Sequence, residues 1–391
     1  ACQLPCIDIS PWLDSSAPQS SRQEVVSQVG NACENVGFFA VTNLPKKLRR
    51  AIEKASQEAG KLFRHLEKNP KLKAKLHDIQ RAGVESEGEG RPRAYGYFPM
   101  KSEALGYDAD VTKKPDLREA FSMGPSVSAP RFRACLDEKK GGSNVTSDFS
   151  RKIKHHYTMA DVIKFFFQET PWPLLEGIDF RSAMTEFYDL TSELGTILLN
   201  IMALALKIDP GRLQEASQTG NHANSARAIL YPKLKKEALS GQLRCGAHSD
   251  TGALTLLWSD TPGLELKPRT ERGGEAEWVP VANMESKGSS ASLFGNTNTL
   301  IVNIGELLSR LSKGTWASTP HRVPAPALDA PENRPRIVLV NFIMLAPDFQ
   351  IDDTGLTQGE YAFNHFLRWG RNAKTDPTPT CEKCSLACNV I

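Results

Sequence analysis

Three residues carry the strongest chemical signal in the chain. In Cys245-Gly246-Ala247-His248-Ser249-Asp250-Thr251-Gly252-Ala253-Leu254-Thr255-Leu256-Leu257-Trp258, His248 and Asp250 are two apart. Side chains two apart on an extended strand share a face, so an imidazole nitrogen and a carboxylate oxygen can reach one point. His321, in Thr319-Pro320-His321-Arg322-Val323, is the natural third ligand, because it lies in its own short β-prone run. Two imidazoles and one carboxylate on one side of a metal leave other positions open. That suits a non-haem Fe(II) centre that must also take a co-substrate and O2. A bare His-x-Asp also occurs as a surface pair; the apolar run from Ala253 to Trp258 and the later histidine argue for the metal.

With these residues the chain resembles the iron-dependent dioxygenase superfamily that includes isopenicillin N synthase and the 2-oxoglutarate-dependent oxygenases of plants and microbes. Leu4-Pro5-Cys6-Ile7-Asp8-Ile9-Ser10 is similar to the family's opening strand, and Ala32-Cys33-Glu34-Asn35-Val36-Gly37-Phe38-Phe39 to its first helix-to-strand junction. Val302-Asn303-Ile304-Gly305-Glu306-Leu307-Leu308 matches the segment that leads to the distal histidine. The matches run in order from about Leu4 to about Trp369.

The resemblance implies an α+β, mainly β fold, with a double-stranded β-helix (jelly roll) core flanked by helices. It also implies that His248, Asp250 and His321 hold Fe(II), that 2-oxoglutarate is the co-substrate, and that O2 is the oxidant. Decarboxylation of the 2-oxo acid then drives hydroxylation or another oxidation of a small molecule, releasing succinate and CO2. Arg336 is the residue suited to the far carboxylate of 2-oxoglutarate, since a guanidinium fork binds a carboxylate bidentately and stays charged when buried. Where the family has Arg-x-Ser, this chain has Arg336-Ile337-Val338, so one hydroxyl donor is missing. Tyr231 matches a tyrosine that contacts the co-substrate, and Ile229 stands where an Asn is often found. Arg334 shares the parity of Arg336 and is the alternative anchor.

Other functions fit the same residues less well. An oxidase like isopenicillin N synthase would work without 2-oxoglutarate and turn Arg336 toward the substrate. Conversion of 2-oxoglutarate itself to ethylene stays open with the altered Arg-x-Val site. A non-catalytic jelly-roll binding protein would be expected to lack a ligand, and all three are present. Zinc hydrolysis would need a further general base that the motif does not supply.

The elements that must position these groups follow from periodicity. Ser21-Arg22-Gln23-Glu24 reads as a capping box before a helix carrying Val25, Val26, Val29, Ala32, Cys33 and Val36, which Gly37 ends. Phe38 to Thr42 reads as a buried strand, and Leu48 to Phe63 as an amphipathic helix with a basic outer face. Gly83 to Pro92 and the polar stretch from Arg133 to Tyr157, with His155 and His156, read as loops. Pro171 opens a long helical region that closes at Asp209-Pro210. Thereafter short strands are expected at Ala226–Tyr231, Leu243–His248, Ala253–Trp258, Leu264–Lys267, Glu277–Val281, Thr299–Ile304, Ser318–Val323 and Arg336–Met344. Polar residues from Met284 to Asn298 look like an insertion between the ligands. By strand parity from Arg336 and Asp250, Phe342 and Trp258 should line the cavity around iron, together with Val338, Val340 and Tyr97.

The expected organisation is one catalytic domain over 1–372, with a mainly helical part to 215, the jelly-roll core at 216–345 and a C-terminal helix at 346–372. A tail over 373–391 carries Cys381, Cys384 and Cys388. Net charge of +3 over 391 residues is too small to argue for nucleic acid. The apolar run from Leu194 to Leu206 is shorter than the roughly 20 residues of a membrane span and reads as a core helix. Scattered cysteines without a pairing pattern, and no leader in the given sequence, point to a cytoplasmic protein. The expected partner is a small-molecule substrate, met by a monomer without nucleic acid or membrane.

Overall fold

The computed structural model describes residues 3–85, 93–104, 114–125, 130–132, 157–269, 276–281 and 292–372. The β-branched and aromatic runs of these residues form two sheets. The larger contains β1 (Cys6–Asp8), β2 (Phe38–Thr42), β3 (Gly96–Phe98), β4 (Glu119–Met123), β5 (Ser225–Tyr231), β7 (Leu254–Ser259), β10 (Thr299–Ile304) and β12 (Arg336–Ile343). Its order is β1-β2-β10-β7-β12-β5-β4-β3, antiparallel except for the β1–β2 pair. The smaller contains β6 (Cys245–His248), β8 (Glu265–Leu266), β9 (Val279–Pro280) and β11 (His321–Val323), in the order β6-β11-β8-β9.

Alternation along the strands decides what each face meets. On β12, Leu339 and Ile343 join a large apolar core with helices α1 (Gln19–Asn35), α2 (Lys46–Lys68) and α3 (Phe180–Leu206). Asn341, on the same face, donates to Thr191 Oγ1 at 2.8 Å and Ser192 Oγ at 3.1 Å on α3. Val338 and Val340 face the other way. They pack with Ala120, Ile229 and Tyr231 of the large sheet and with Cys245 and Val323 of the small one. A second cluster between the sheets joins Phe38, Ala40 and Ile301 to Leu264 and Leu266, and takes in Leu293 and Phe294. The sheets therefore face each other across a shared interior, and the helices cover the outer face of the large sheet. By length and composition α3 is apolar enough to cross a membrane, but Phe187, Leu194, Leu198 and Ile201 are buried in that helix-side core.

The register sets out the interior as rows. Arg336 lies opposite Tyr231; Val338 lies between Ile229 and Ser259; Val340 lies between Arg227 and Leu257. Phe342 lies between Ser225 and Thr255, and Thr255 opposes Asn303.

The eight expected strands all form, most of them shorter by a residue or more at an end. Two expectations need correction. The helix expected to start at Ser21 begins at Gln19, after Pro18, and carries no side-chain cap: the proline fixes the entry that the capping box was expected to supply. The helix expected to end at Phe63 continues to Lys68, and a further helix at Pro70–Glu85 overlaps the start of the loop expected from Gly83. Apart from these corrections, the part before 215 also supplies β1 to β4, which form both edges of the large sheet. Of the expected insertion at Met284–Asn298, the described end is packed, with Leu293 and Phe294 between the sheets. The loop to Pro92 beyond residue 85, the stretch 133–156 and the tail at 373–391 lie outside the described residues.

Candidate active site

His248 ends β6 and His321 begins β11, and the two strands pair so that the histidines are directly opposite. Their ring centroids are 4.3 Å apart. His248 Nδ1 is 2.8 Å from the Gly246 carbonyl and His321 Nδ1 is 3.3 Å from that of Thr319. Each carbonyl accepts the Nδ1 proton, which fixes the tautomer and leaves the Nε2 lone pair free. Those Nε2 atoms lie 3.6 Å and 3.8 Å from Asp250 Oδ1. The other oxygen, Oδ2, accepts from Thr255 Oγ1 at 2.6 Å and Asn303 Nδ2 at 2.8 Å. Two imidazole nitrogens and one carboxylate oxygen thus converge, all within 4.8 Å, a donor set suited to a divalent cation.

Electrostatics fit that reading. Burial raises the Asp250 carboxyl pKa, but the His321 and His248 imidazoles, with Thr255 and Asn303, outweigh it and hold the group below the usual carboxylate range. Burial, with His248 alongside, pushes the His321 imidazole down to about 4, so it is neutral, as a ligand must be.

Two glycines place the ligands. Gly305 approaches the turn bearing Asp250 so closely that a Cβ would lie 2.2 Å from the Gly252 carbonyl oxygen and 2.8 Å from that of Asp250. The amides of Glu306 and Leu307, opening the helix Glu306–Leu311, donate to Asp250 and Gly252 carbonyls at 2.7 Å and 3.2 Å. Gly37 has φ +72°, and its Cβ would lie 2.1 Å from the Ala317 carbonyl oxygen, in the lead-in to His321. Phe38, next along, sets its ring edge against His321 at 5.4 Å.

Arg336 is 2% exposed. Its Nε donates to the Thr261 carbonyl at 3.0 Å, and its guanidinium stacks over the Tyr231 ring at 5.1 Å. Burial works against its charge, and its Nη1 has no hydrogen-bond partner. A buried guanidinium nitrogen without an acceptor fits an incoming carboxylate. Arg334 is exposed. Val338 and Ile229, the two departures from the family pattern, are cross-strand partners, so an apolar pair stands where a polar pair was expected.

Phe342 is half-buried against the inter-sheet cluster, as the parity argument expects. Trp258 is not there. It packs in the helix-side core and donates from Nε1 to the Asn296 carbonyl. The parity count assumed an unbroken strand from Asp250, but residues 249–253 form a turn, and Leu257 takes the inner face instead. Tyr97 is likewise on the helix side, its hydroxyl donating to Glu119, while Phe98 packs against the inner cluster. The sequence reading also passed over Arg227, which is on the inner face.

Comparison with known proteins places this site in a family. A family model for the 2OG-Fe(II) oxygenase superfamily matches residues 220–344, and one for the non-haem dioxygenase in morphine synthesis N-terminal region matches residues 4–141. The chain is 27% identical over 326 residues to the 2-oxoglutarate-dependent dioxygenase citB of Monascus ruber, covering 82% of this chain and 79% of the relative. It is 26% identical over 328 residues to clavatol oxidase claD of Penicillium crustosum, covering 82% and 80%. In fold it is similar to a putative 2OG-Fe(II) oxygenase family protein from Caulobacter crescentus, with TM-score 0.63 and 21% identity, covering 93% of this chain and 98% of the other. A full-length Neurospora crassa protein in complex with alpha-KG matches with TM-score 0.61 and 21% identity, covering 93% and 96%. The chain belongs to the 2OG-Fe(II) oxygenase superfamily. It is an oxidoreductase, an Fe(II)- and 2-oxoglutarate-dependent dioxygenase.

Proposed function

We propose that the two facing sheets are a double-stranded β-helix in which His248, Asp250 and His321 hold Fe(II) and Arg336, over Tyr231, binds the far carboxylate of 2-oxoglutarate. The observation that carries this is the convergence of two carbonyl-fixed imidazoles on one free oxygen of Asp250, in the same interior as the unpartnered Arg336 nitrogen. When bound, Fe(II) and 2-oxoglutarate supply an oxidant, from O2, able to attack an unactivated C–H bond. The chain's own residues do the rest: Thr255 and Asn303 keep Asp250 anionic and turned inward, the Gly246 and Thr319 carbonyls aim the imidazoles, and Val338, Val340 and Phe342 keep the interior apolar.

The substrate is a small organic molecule, in keeping with relatives named for clavatol oxidation and 2-oxoglutarate-dependent dioxygenation. The enzyme acts in the cytoplasm as a monomer, on neither nucleic acid nor membrane. Asp250→Ala should abolish succinate formation from 2-oxoglutarate in the presence of excess Fe(II) while preserving the fold by circular dichroism. Wild-type turnover in that variant would refute the metal assignment. Counting succinate per substrate oxidised separates this reading from an oxidase that works without 2-oxoglutarate.

A further inference from the structure

Like Arg336, Arg227 on β5 has a buried guanidinium nitrogen without a hydrogen-bond partner and lies on the inner face of the large sheet. Its neighbours Ala226 and Ala228 point to the helix-side core, whereas Ile229 and Tyr231 point between the sheets, which puts Arg227 on the inner face. It lies opposite Val340 and stacks over the Phe98 ring at 4.9 Å. Among the described residues its one hydrogen bond is to Glu103 Oε1, at 2.9 Å. Its Nε is buried with no acceptor, and its side chain keeps 13% exposure.

The partners of Arg227 are themselves committed. Glu103 Oε2 is 3.3 Å from Arg118 Nη2. Arg118 also reaches Asp116 Oδ2 at 3.4 Å and Cys245 Sγ at 3.5 Å, so each of its three nitrogens faces a group of the protein, Nε and Nη2 through ion-pair contacts and not hydrogen bonds. Asp116 Oδ1 accepts from the Gly246 amide at 3.0 Å, which ties the network to the strand that bears His248. Burial raises Glu103, but Arg227 and Arg118 outweigh it and keep its carboxylate ionised. The network therefore fixes Arg227 in place but, among the described residues, leaves its buried Nε without an acceptor, with the guanidinium over Phe98 and opposite Val340.

Position separates Arg227 from the co-substrate anchor. It is four residues from Tyr231, the partner of Arg336, or about 13 Å along the strand. It is one inward-facing step from the row of Thr255, whose hydroxyl holds Asp250, and two strands across, roughly 7 Å by 10 Å. That separation is of the order of the length of a small organic molecule.

We infer that Arg227 is a specificity-determining residue that anchors the substrate by a carboxylate, presenting an adjacent carbon to the metal centre. A carboxylate is the planar acceptor that matches a guanidinium held at one edge by Glu103 and on one face by Phe98. The inference rests on the proposed Fe(II) and 2-oxoglutarate reading of the site.

The test uses the full chain loaded anaerobically with Fe(II) and 2-oxoglutarate, following the metal-to-ligand absorption band. The probes are aromatic monocarboxylates from benzoate to naphthoate, each paired with its methyl ester. In the wild type at least one acid should perturb the band with an affinity about tenfold or more above its ester. Arg227→Gln should lose that preference, Arg227→Lys should keep part of it, and both should bind 2-oxoglutarate within about twofold of wild type. The inference is overturned if acids and esters bind the wild type alike, if no acid binds, or if Arg227→Gln retains the preference. A loss of 2-oxoglutarate affinity in both variants would instead make Arg227 the co-substrate anchor. A wild type with no absorption band on adding 2-oxoglutarate would sink the underlying reading and not the role of Arg227 alone.

Discussion

At the scale of single residues, the chemistry depends on which polar atoms are left over. Arg336 Nη1 is buried without an acceptor, and a charge-assisted hydrogen bond to a carboxylate is worth roughly 1.5–3 kcal/mol. Arg336→Ala should therefore weaken 2-oxoglutarate binding by about a hundredfold in an anaerobic titration, since each 1.4 kcal/mol is a factor of ten. Unchanged affinity would move the anchor elsewhere, though not to exposed Arg334. Val338→Ser alone should recover little, because its hydroxyl would face Ile229.

His222 shows the opposite case, a titratable group with no part in the site. Burial pushes its imidazole from 6.5 down to about 4. Between those pH values the unfolded chain binds the proton and the native chain does not, so stability is full above about pH 6.5 and falls as pH drops toward 4. The loss is roughly 3 kcal/mol at 1.36 kcal/mol per unit. Urea midpoints of the Fe(II)-loaded protein at pH 7 and pH 5 should differ less in His222→Gln than in wild type. Equal differences would show that other groups carry the acid sensitivity.

At the scale of elements, the turn after His248 does more than the strands themselves. Its carbonyls are held by the first amides of the helix Glu306–Leu311, and only a glycine at 305 allows that approach. Gly305→Ala should force the turn aside at a cost of about 1–3 kcal/mol. It should lower Fe(II) affinity at least tenfold while far-UV circular dichroism is retained; wild-type Fe(II) affinity would mean the turn can adapt.

The same turn marks where the sequence stopped being legible. His248 and His321 were readable because each sits in a β-prone run, Asp250 because it follows His248 by two residues, and Phe342 because β12 is unbroken. Trp258 was misplaced because parity does not survive five residues of turn, which the cluster Ser249-Asp250-Thr251-Gly252 signals by composition. Tyr97 was misplaced for a related reason. β3 is three residues long, too short for alternation to show which side faces inward. Arg227 went unread because its significance lies in a missing acceptor, a property of packing and not of pattern.

At the scale of the molecule, the two sheets are unequal. The large one is covered by helices, whereas β6, β8, β9 and β11 have only two to four residues each. The triad joins β6 to β11 across about 70 residues of intervening chain. In polymer terms a metal ion there is a removable cross-link that closes a long loop. By the chain-entropy estimate, closing a loop of that length restricts the unfolded ensemble by about 4 kcal/mol. Chelation should reopen it, and the consequence should be local. Amide hydrogen exchange in the apo protein should accelerate at β6, β8 and β11, while β5, β7, β10 and β12 keep their protection. Equal acceleration in both sheets would mean that the small sheet has no loop-closure dependence on the ion, and that iron and the chain's connectivity are thermodynamically separate.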